Sequence, residues 1–153
     1  IKKNTPLLLL MAFVLILGAC SKDDDKASED VGDDILQSKV YQLEPMAGSN
    51  ITGTATFTED VDGKTTVLIK LEGSNTTEHP AFIRYNNASE GGPIAITLKE
   101  CTCSVSETVV SMLDNGESIN YDGLVELDGH ITIHESPQDL ETIVSVANIG
   151  ANE

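Results

Sequence analysis

The chain has 153 residues, 25 of them acidic and only 9 basic, giving a formal net charge of −16 at pH 7. This balance argues against nucleic acid and anionic lipid headgroups as partners, because both are bound through basic patches. Tryptophan is absent and aromatic residues are few, which disfavours a carbohydrate-stacking platform and requires a core of Ile, Val and Leu.

The first 19 residues have the pattern of a secretory signal. Lys2 and Lys3 precede an apolar run, residues 7–17, that is shorter than the roughly 20 residues a transmembrane helix needs. The segment LGAC that ends at Cys20 resembles the lipobox of bacterial lipoproteins. That resemblance implies cleavage before Cys20 and a diacylglycerol on its thiol, with several acyl chains anchoring the protein to the membrane.

An acidic run, SKDDDKASEDVGDD, follows Cys20. Such a segment cannot bury enough apolar surface to offset the entropy of ordering, so residues 20–38 are predicted to be a flexible tether. Its start also resembles the export signal of surface-exposed lipoproteins in some Gram-negative bacteria, which implies anchoring in the outer membrane with the domain outside the cell. Without residues 1–19 the chain keeps 7 basic and 25 acidic residues, a net charge of −18.

Residues 39–153 are predicted to form one all-β domain. Alternate residues share one face in ITGTATF (51–57) and in TVLIKLEG (66–73), and Asp62-Gly63 between them predicts a hairpin with a type I′ turn. A total of about eight short antiparallel strands is typical of a β-sandwich or barrel. The remaining segments interpreted as strands are PIAITL, CSVSETVVSML, SINYDGLVEL, GHITIHES and ETIVSVANIG.

The fourth of these segments, GHITIHES, carries two of the three histidines. His130 and His134 lie an even number of residues apart, so they share one face of the strand. The opposite face holds Ile131 and Ile133, which must point to the core. The alternation therefore predicts that both histidines face outward.

The segment HPAFIRYNN, which begins at His79, is also predicted to be a strand. Its alternation directs His79, Ala81 and Ile83 inward, and it directs Phe82 and Arg84 outward. A histidine at the start of a strand is either the first ligand of a metal site or the remnant of one.

The segments LEGSNTTEHPAFIRYNN, ITIHESPQDL and IVSVANIGANE together resemble the copper/zinc superoxide dismutase fold. They are more closely similar to the chordin-type (CHRD) domains of bacterial lipoproteins. The resemblance extends over roughly residues 40–152, and it implies an antiparallel Greek-key β-sandwich.

The dismutases read H-G-F-H-V-H at the first segment and V-H-E-x-x-D-D-L at the second. By this resemblance His134 corresponds to a copper ligand, and His79 to a histidine that supports the ligands without binding metal. The two other copper positions fall on Phe82 and Arg84. Phenylalanine has no lone pair to donate and a guanidinium is always protonated, so neither can bind a metal.

The resemblance therefore implies a degenerate metal site, and no catalytic residue or cofactor is predicted. A weaker interpretation keeps metal binding: His134 and His130, together with a carboxylate such as Glu135, hold an adventitious or physiological metal ion. The alternative is that His134 is a structural relic, hydrogen-bonded to His79 or Arg84.

Cys101 and Cys103 form a C-x-C pair on or beside a strand. In an oxidising compartment two such cysteines suggest a disulfide. Residues two apart in an extended strand lie near the upper limit of bridging distance, so the bridge requires a kink. Free thiols and a soft-metal site, which needs further ligands, are the alternatives.

The function predicted from these observations is non-enzymatic: a surface-exposed, lipid-anchored module that binds an extracellular or envelope protein or another ligand. A secreted inhibitor or adhesion partner would differ from it only in the ligand. The alternative is a copper-binding protein with a residual dismutase-like site.

Overall fold

The computed structural model describes residues 34–74 and 78–153, and these form an antiparallel β fold with one short helix. The elements, in chain order, are β1 (Ile35–Pro45), β2 (Thr52–Asp60), β3 (Thr65–Glu72), β4 (Glu78–His79), β5 (Ala81–Tyr85), β6 (Ile94–Thr97), β7 (Cys101–Thr102), β8 (Val105–Val110), α1 (Tyr121–Val125), β9 (Asp128–Ser136) and β10 (Asp139–Gly150).

The strands join into one curled ten-stranded sheet that forms a half-barrel, in the order β4-β7-β8-β3-β2-β1-β10-β9-β5-β6. The predicted all-β antiparallel class is confirmed, whereas the predicted number of about eight strands is too low. The two-residue strands β4 and β7 account for the difference, because a pair of residues is too short to produce an alternating pattern.

The core consists mainly of aliphatic residues, together with Tyr41, Phe57 and Tyr121, and most of the strands contribute to it. The residues predicted to face inward at 51–57 and 66–73 are at least half-buried, and Phe57, Val67 and Ile69 are completely buried. Ile131 and Ile133 are also completely buried, as the alternation in β9 predicts.

The segment SINYDGLVEL is not a strand, because its centre forms the helix α1. Asn120 caps this helix: its side-chain oxygen accepts a hydrogen bond from the Gly123 N–H at 3.0 Å. Tyr121 and Leu124, three residues apart, lie on one helical face and are buried in the core. A single turn of helix is too short to give a recognisable helical period in the sequence.

Strand β1 begins at Ile35, inside the segment 20–38 that was predicted to be a tether, and it already pairs with β2 there. Ile35 lies opposite Asp60 and Ser38 lies opposite Thr58. The predicted signal, the lipidated Cys20 and most of the predicted tether lie outside the described residues. No helix within residues 34–74 and 78–153 is long and apolar enough to span a membrane.

Candidate functional site

The pairing of β5 with β9 brings the candidate residues together on one face of the sheet. Phe82 lies opposite Thr132, and Arg84 lies opposite His130. His134 follows two residues after Thr132 on the same face. These five residues are called the β5–β9 cluster below.

The histidines of the β5–β9 cluster are buried, contrary to the prediction that they face outward into solvent. His130 is 2% exposed and His134 is 1% exposed, although both point away from the face of Ile131 and Ile133. The alternation identifies the face correctly but not its exposure. The half-buried Phe82 ring packs edge-on against the His134 ring, with centroids 5.2 Å apart, and so covers part of that ring.

Thr132 links the two ends of the cluster through its completely buried hydroxyl group. Arg84 donates from Nε to Thr132 Oγ1 at 3.3 Å, and His134 Nε2 lies 3.0 Å from the same oxygen. Because Arg84 can only donate, the hydroxyl hydrogen of Thr132 is available to His134 Nε2. The imidazole lone pair that could bind a metal is therefore directed into an internal hydrogen bond.

His134 is held as a neutral imidazole. Burial lowers its pKa below the usual 6.5, and the positive charge of Arg84 acts in the same direction. The Leu140 backbone and the Asp139 carboxylate oppose this change but do not reverse it. Its Nδ1 atom is buried and forms no hydrogen bond of standard geometry within the described part of the chain.

His79 lies on β4, which pairs with β7, and its ring supports β9 through a hydrogen bond. The ring is completely buried, and its Nδ1 lies 2.9 Å from the backbone oxygen of His134, to which it donates. Its Nε2 lies 2.7 Å from Ser74 Oγ. The His79 side chain therefore connects the loop after β3 to the backbone of His134.

His130 has a separate partner and does not share a site with His134. Its Nδ1 donates to the Asn86 backbone oxygen at 2.7 Å. Asn86 has a φ of 64°, in the left-handed region, where asparagine is one of the residues that tolerate the conformation. Glu135, the carboxylate suggested beside these histidines, is half-buried and lines a separate open cleft of about 310 Å³ with residues such as Ser49 and Thr142.

The predicted disulfide between Cys101 and Cys103 is not formed. Cys101 is a completely buried free thiol on β7, and burial raises its pKa to about 12. Cys103, which is exposed in the turn after β7, is not bonded to Cys101. The backbone turns sharply between β7 and β8, with φ of 49° at Cys103 and 70° at Ser104, and this turn separates the two side chains.

Two partners of the cluster carry no recognisable signal in the sequence. The Gly92 backbone oxygen accepts a hydrogen bond from Arg84 Nη1 at 3.1 Å, and the Asn86 backbone holds His130. Both are main-chain contacts, so residue type does not reveal them. Thr132, in contrast, is identifiable from the sequence, since its even spacing places it on the same face between the two histidines.

The donor set does not suit a metal. Of the five cluster residues only the two histidines are ordinary metal ligands, and each has a ring nitrogen bonded within the protein. No group of three or more His, Cys, Asp or Glu residues in the described ranges could hold a metal ion. No family model matches the chain, and no curated protein matches its sequence.

Proposed function

We propose that this chain is a non-enzymatic binding module on a superoxide dismutase-like Greek-key β-sandwich, similar to chordin-type domains, in which the metal site is lost. One observation carries the proposal: two of the positions that align with copper ligands hold Phe82 and Arg84, and both side chains are engaged in the cluster. Arg84 is fixed by hydrogen bonds to Thr132 and Gly92. Phe82 packs on His134.

Copper does not fit this arrangement. A guanidinium at position 84 repels a cation, and the Phe82 ring provides no lone pair. Copper sites in proteins use several imidazole or sulfur ligands in a fixed geometry. His134 alone remains of the aligned ligands, and its Nε2 is bonded to Thr132.

The contact of His79 with His134 supports the alignment that underlies this proposal. The resemblance assigns His79 a supporting role next to an aligned ligand. A buried hydrogen bond of 2.9 Å between the His79 ring and the His134 backbone oxygen is what such a role requires.

The proposal includes a lipid anchor at Cys20 and exposure on the outer surface of a Gram-negative outer membrane. Its support is the LGAC segment and the acidic run that follows it. A net charge of −18 after the predicted cleavage keeps such a domain soluble and repels it from an anionic membrane surface.

Copper(II) titration of the purified protein, followed by electron paramagnetic resonance in glycine buffer, tests the loss of the metal site. Glycine competes with weak surface carboxylates, so that only a built site gives a protein spectrum. We expect no stoichiometric copper signal, and we expect H134A to behave as the unchanged protein does.

The double variant F82H/R84H is the positive control, because it restores imidazoles at the two aligned positions. We expect it to bind one copper ion with nitrogen hyperfine structure. If the unchanged protein binds one copper tightly and H134A loses it, the chain is a copper-binding protein and the proposal is wrong. A failure of F82H/R84H to gain copper, despite correct folding, would refute the alignment.

A further inference from the structure

Arg84 is the only arginine in the chain, and its position is fixed before any ligand binds. Nε donates to Thr132 Oγ1 at 3.3 Å, and Nη1 donates to the Gly92 backbone oxygen at 3.1 Å. The guanidinium carbon also lies 5.7 Å from the centroid of the Phe82 ring. A guanidinium held in this way loses little conformational entropy when it binds a further partner.

The positive charge of Arg84 has no carboxylate partner in the described part of the chain. The ion pairs there join Lys39 to Glu153 and Lys64 to Asp60. Both acceptors of Arg84 are neutral oxygens, which satisfy a donor but do not balance a charge. A half-buried cation without a counter-ion is partly desolvated and uncompensated, so binding an anion there is favourable.

Donors remain for such an anion. A guanidinium has five N–H groups, and Arg84 uses two of them within the described residues. Nη2 makes no hydrogen bond to the described residues, and it is not one of the buried atoms that lack a partner. Nη2 is therefore exposed to solvent. The remaining N–H groups of Nη1 and Nη2 can donate hydrogen bonds to both oxygens of one carboxylate.

We propose that Arg84 forms a binding site for a single carboxylate whose attached group is apolar, with Phe82 providing the apolar contact. The inference rests on the proposed function, because it assigns a ligand class to the same cluster. The acidic surface selects against polyanions such as nucleic acid or sulfated glycans, since each further negative charge would be repelled.

Benzoate is the probe, and nuclear magnetic resonance of the ¹⁵N-labelled protein with EDTA present is the measurement. Because the chain has one arginine, its Nε–H signal is unambiguous. We expect this signal to shift saturably, with a dissociation constant on the order of millimolar. Benzamide, which has the same ring without the charge, should leave it unshifted.

R84Q should weaken benzoate binding at least tenfold, as measured by the Thr132 backbone amide, and R84K should weaken it severalfold because a lysine lacks the planar fork. The matched control K70Q removes a positive charge from an exposed site on β3 and should change nothing. If R84Q does not fold, the wild-type Nε–H signal and R84K still decide the question.

An Arg84 Nε–H signal that does not move, equal shifts with benzamide, or R84Q binding as tightly as the unchanged protein would each overturn the inference. EDTA keeps this test independent of copper. Tight copper binding in the preceding titration would refute the proposed function while leaving the benzoate result readable.

Discussion

His134 shows how a single buried side chain is controlled by its neighbours. Its ring packs against Phe82, is bonded to Thr132 through Nε2, and makes no hydrogen bond of standard geometry at Nδ1 with the residues that the structure describes. Protonation would place a charge in this site close to Arg84. The protein therefore favours the neutral imidazole, and this preference makes the stability of the fold depend on pH.

The first prediction concerns this pH dependence. The folded pKa of His134 is lower than the unfolded value of about 6.5, so the unfolded state binds the proton first as pH falls. The His134 contribution is fully present above pH 6.5 and is lost below it, down to the folded pKa. We expect the unfolding free energy to fall by about 1 kcal/mol between pH 7.5 and 5.5. Urea unfolding followed by circular dichroism measures it.

H134Q is the comparison, because glutamine does not titrate in this range. Its unfolding free energy should be lower overall but should lose less between pH 7.5 and 5.5. Asp60 and Asp139 do not interfere: hydrogen bonds from the Lys64 N–H and from Thr142 lower their pKa values below 3.8. Their stabilising effect is present above 3.8 and disappears only in stronger acid. Equal pH slopes for H134Q and the unchanged protein would contradict the prediction.

At the scale of elements, the sequence predicted the position of the β2–β3 hairpin correctly, but it did not predict the type of turn. Only Gly63 has positive φ, at 77°, so the turn is not type I′. The Gly63 N–H donates to the Asp60 backbone oxygen at 2.9 Å, which closes a turn with ordinary φ at its two central residues. The Asp60 carboxylate accepts the N–H groups of Asp62 and Lys64 at 3.0 and 2.8 Å, and this local bonding selects the longer loop.

The second prediction tests the conformational demand at Gly63. A Cβ would meet no heavy atom there, so any cost of G63A comes from the left-handed backbone and not from a clash. We expect G63A to lower the unfolding free energy by about 1 kcal/mol, and G63N by less. Thermal unfolding by circular dichroism measures both. Similar losses for asparagine and alanine would contradict a purely conformational cause.

At the scale of the whole molecule, the short strands near the sheet's edges bring distant parts of the chain together. β7 pairs with β4 and with β8, and the Leu98 N–H donates to the Ala81 backbone oxygen at 3.1 Å. Cys101 lies on β7 opposite His79 of β4 and is completely buried. Its thiol can react only when this part of the sheet opens.

The third prediction uses Cys101 as a reporter of that opening. With its pKa raised to about 12 and no exposed surface, the thiol should react with N-ethylmaleimide at pH 8 about a thousandfold slower in the native protein than in urea. Peptide mass spectrometry identifies the labelled residue. T102C places a thiol on the exposed neighbouring residue and should react rapidly. Labelling of Cys101 at the T102C rate would show that the sheet is open there.

The sequence by itself determined the fold class, the inward faces of the long strands and the position of the hairpin. The reason is that strand alternation and turn residues are local properties. It also specified the residue types of the cluster: neither a phenylalanine ring nor a guanidinium group can be a metal ligand, whatever its position.

The tertiary structure decided the burial of His130 and His134, the free state of Cys101, and the partners of Arg84. Alternation divides a strand into two faces but cannot reveal what covers each face. The hydrogen bonds from Arg84 to Gly92 and from His130 to Asn86 end on backbone oxygens, which every residue carries. Their positions follow from the path of the chain between β5 and β6, which only the packed sheet fixes.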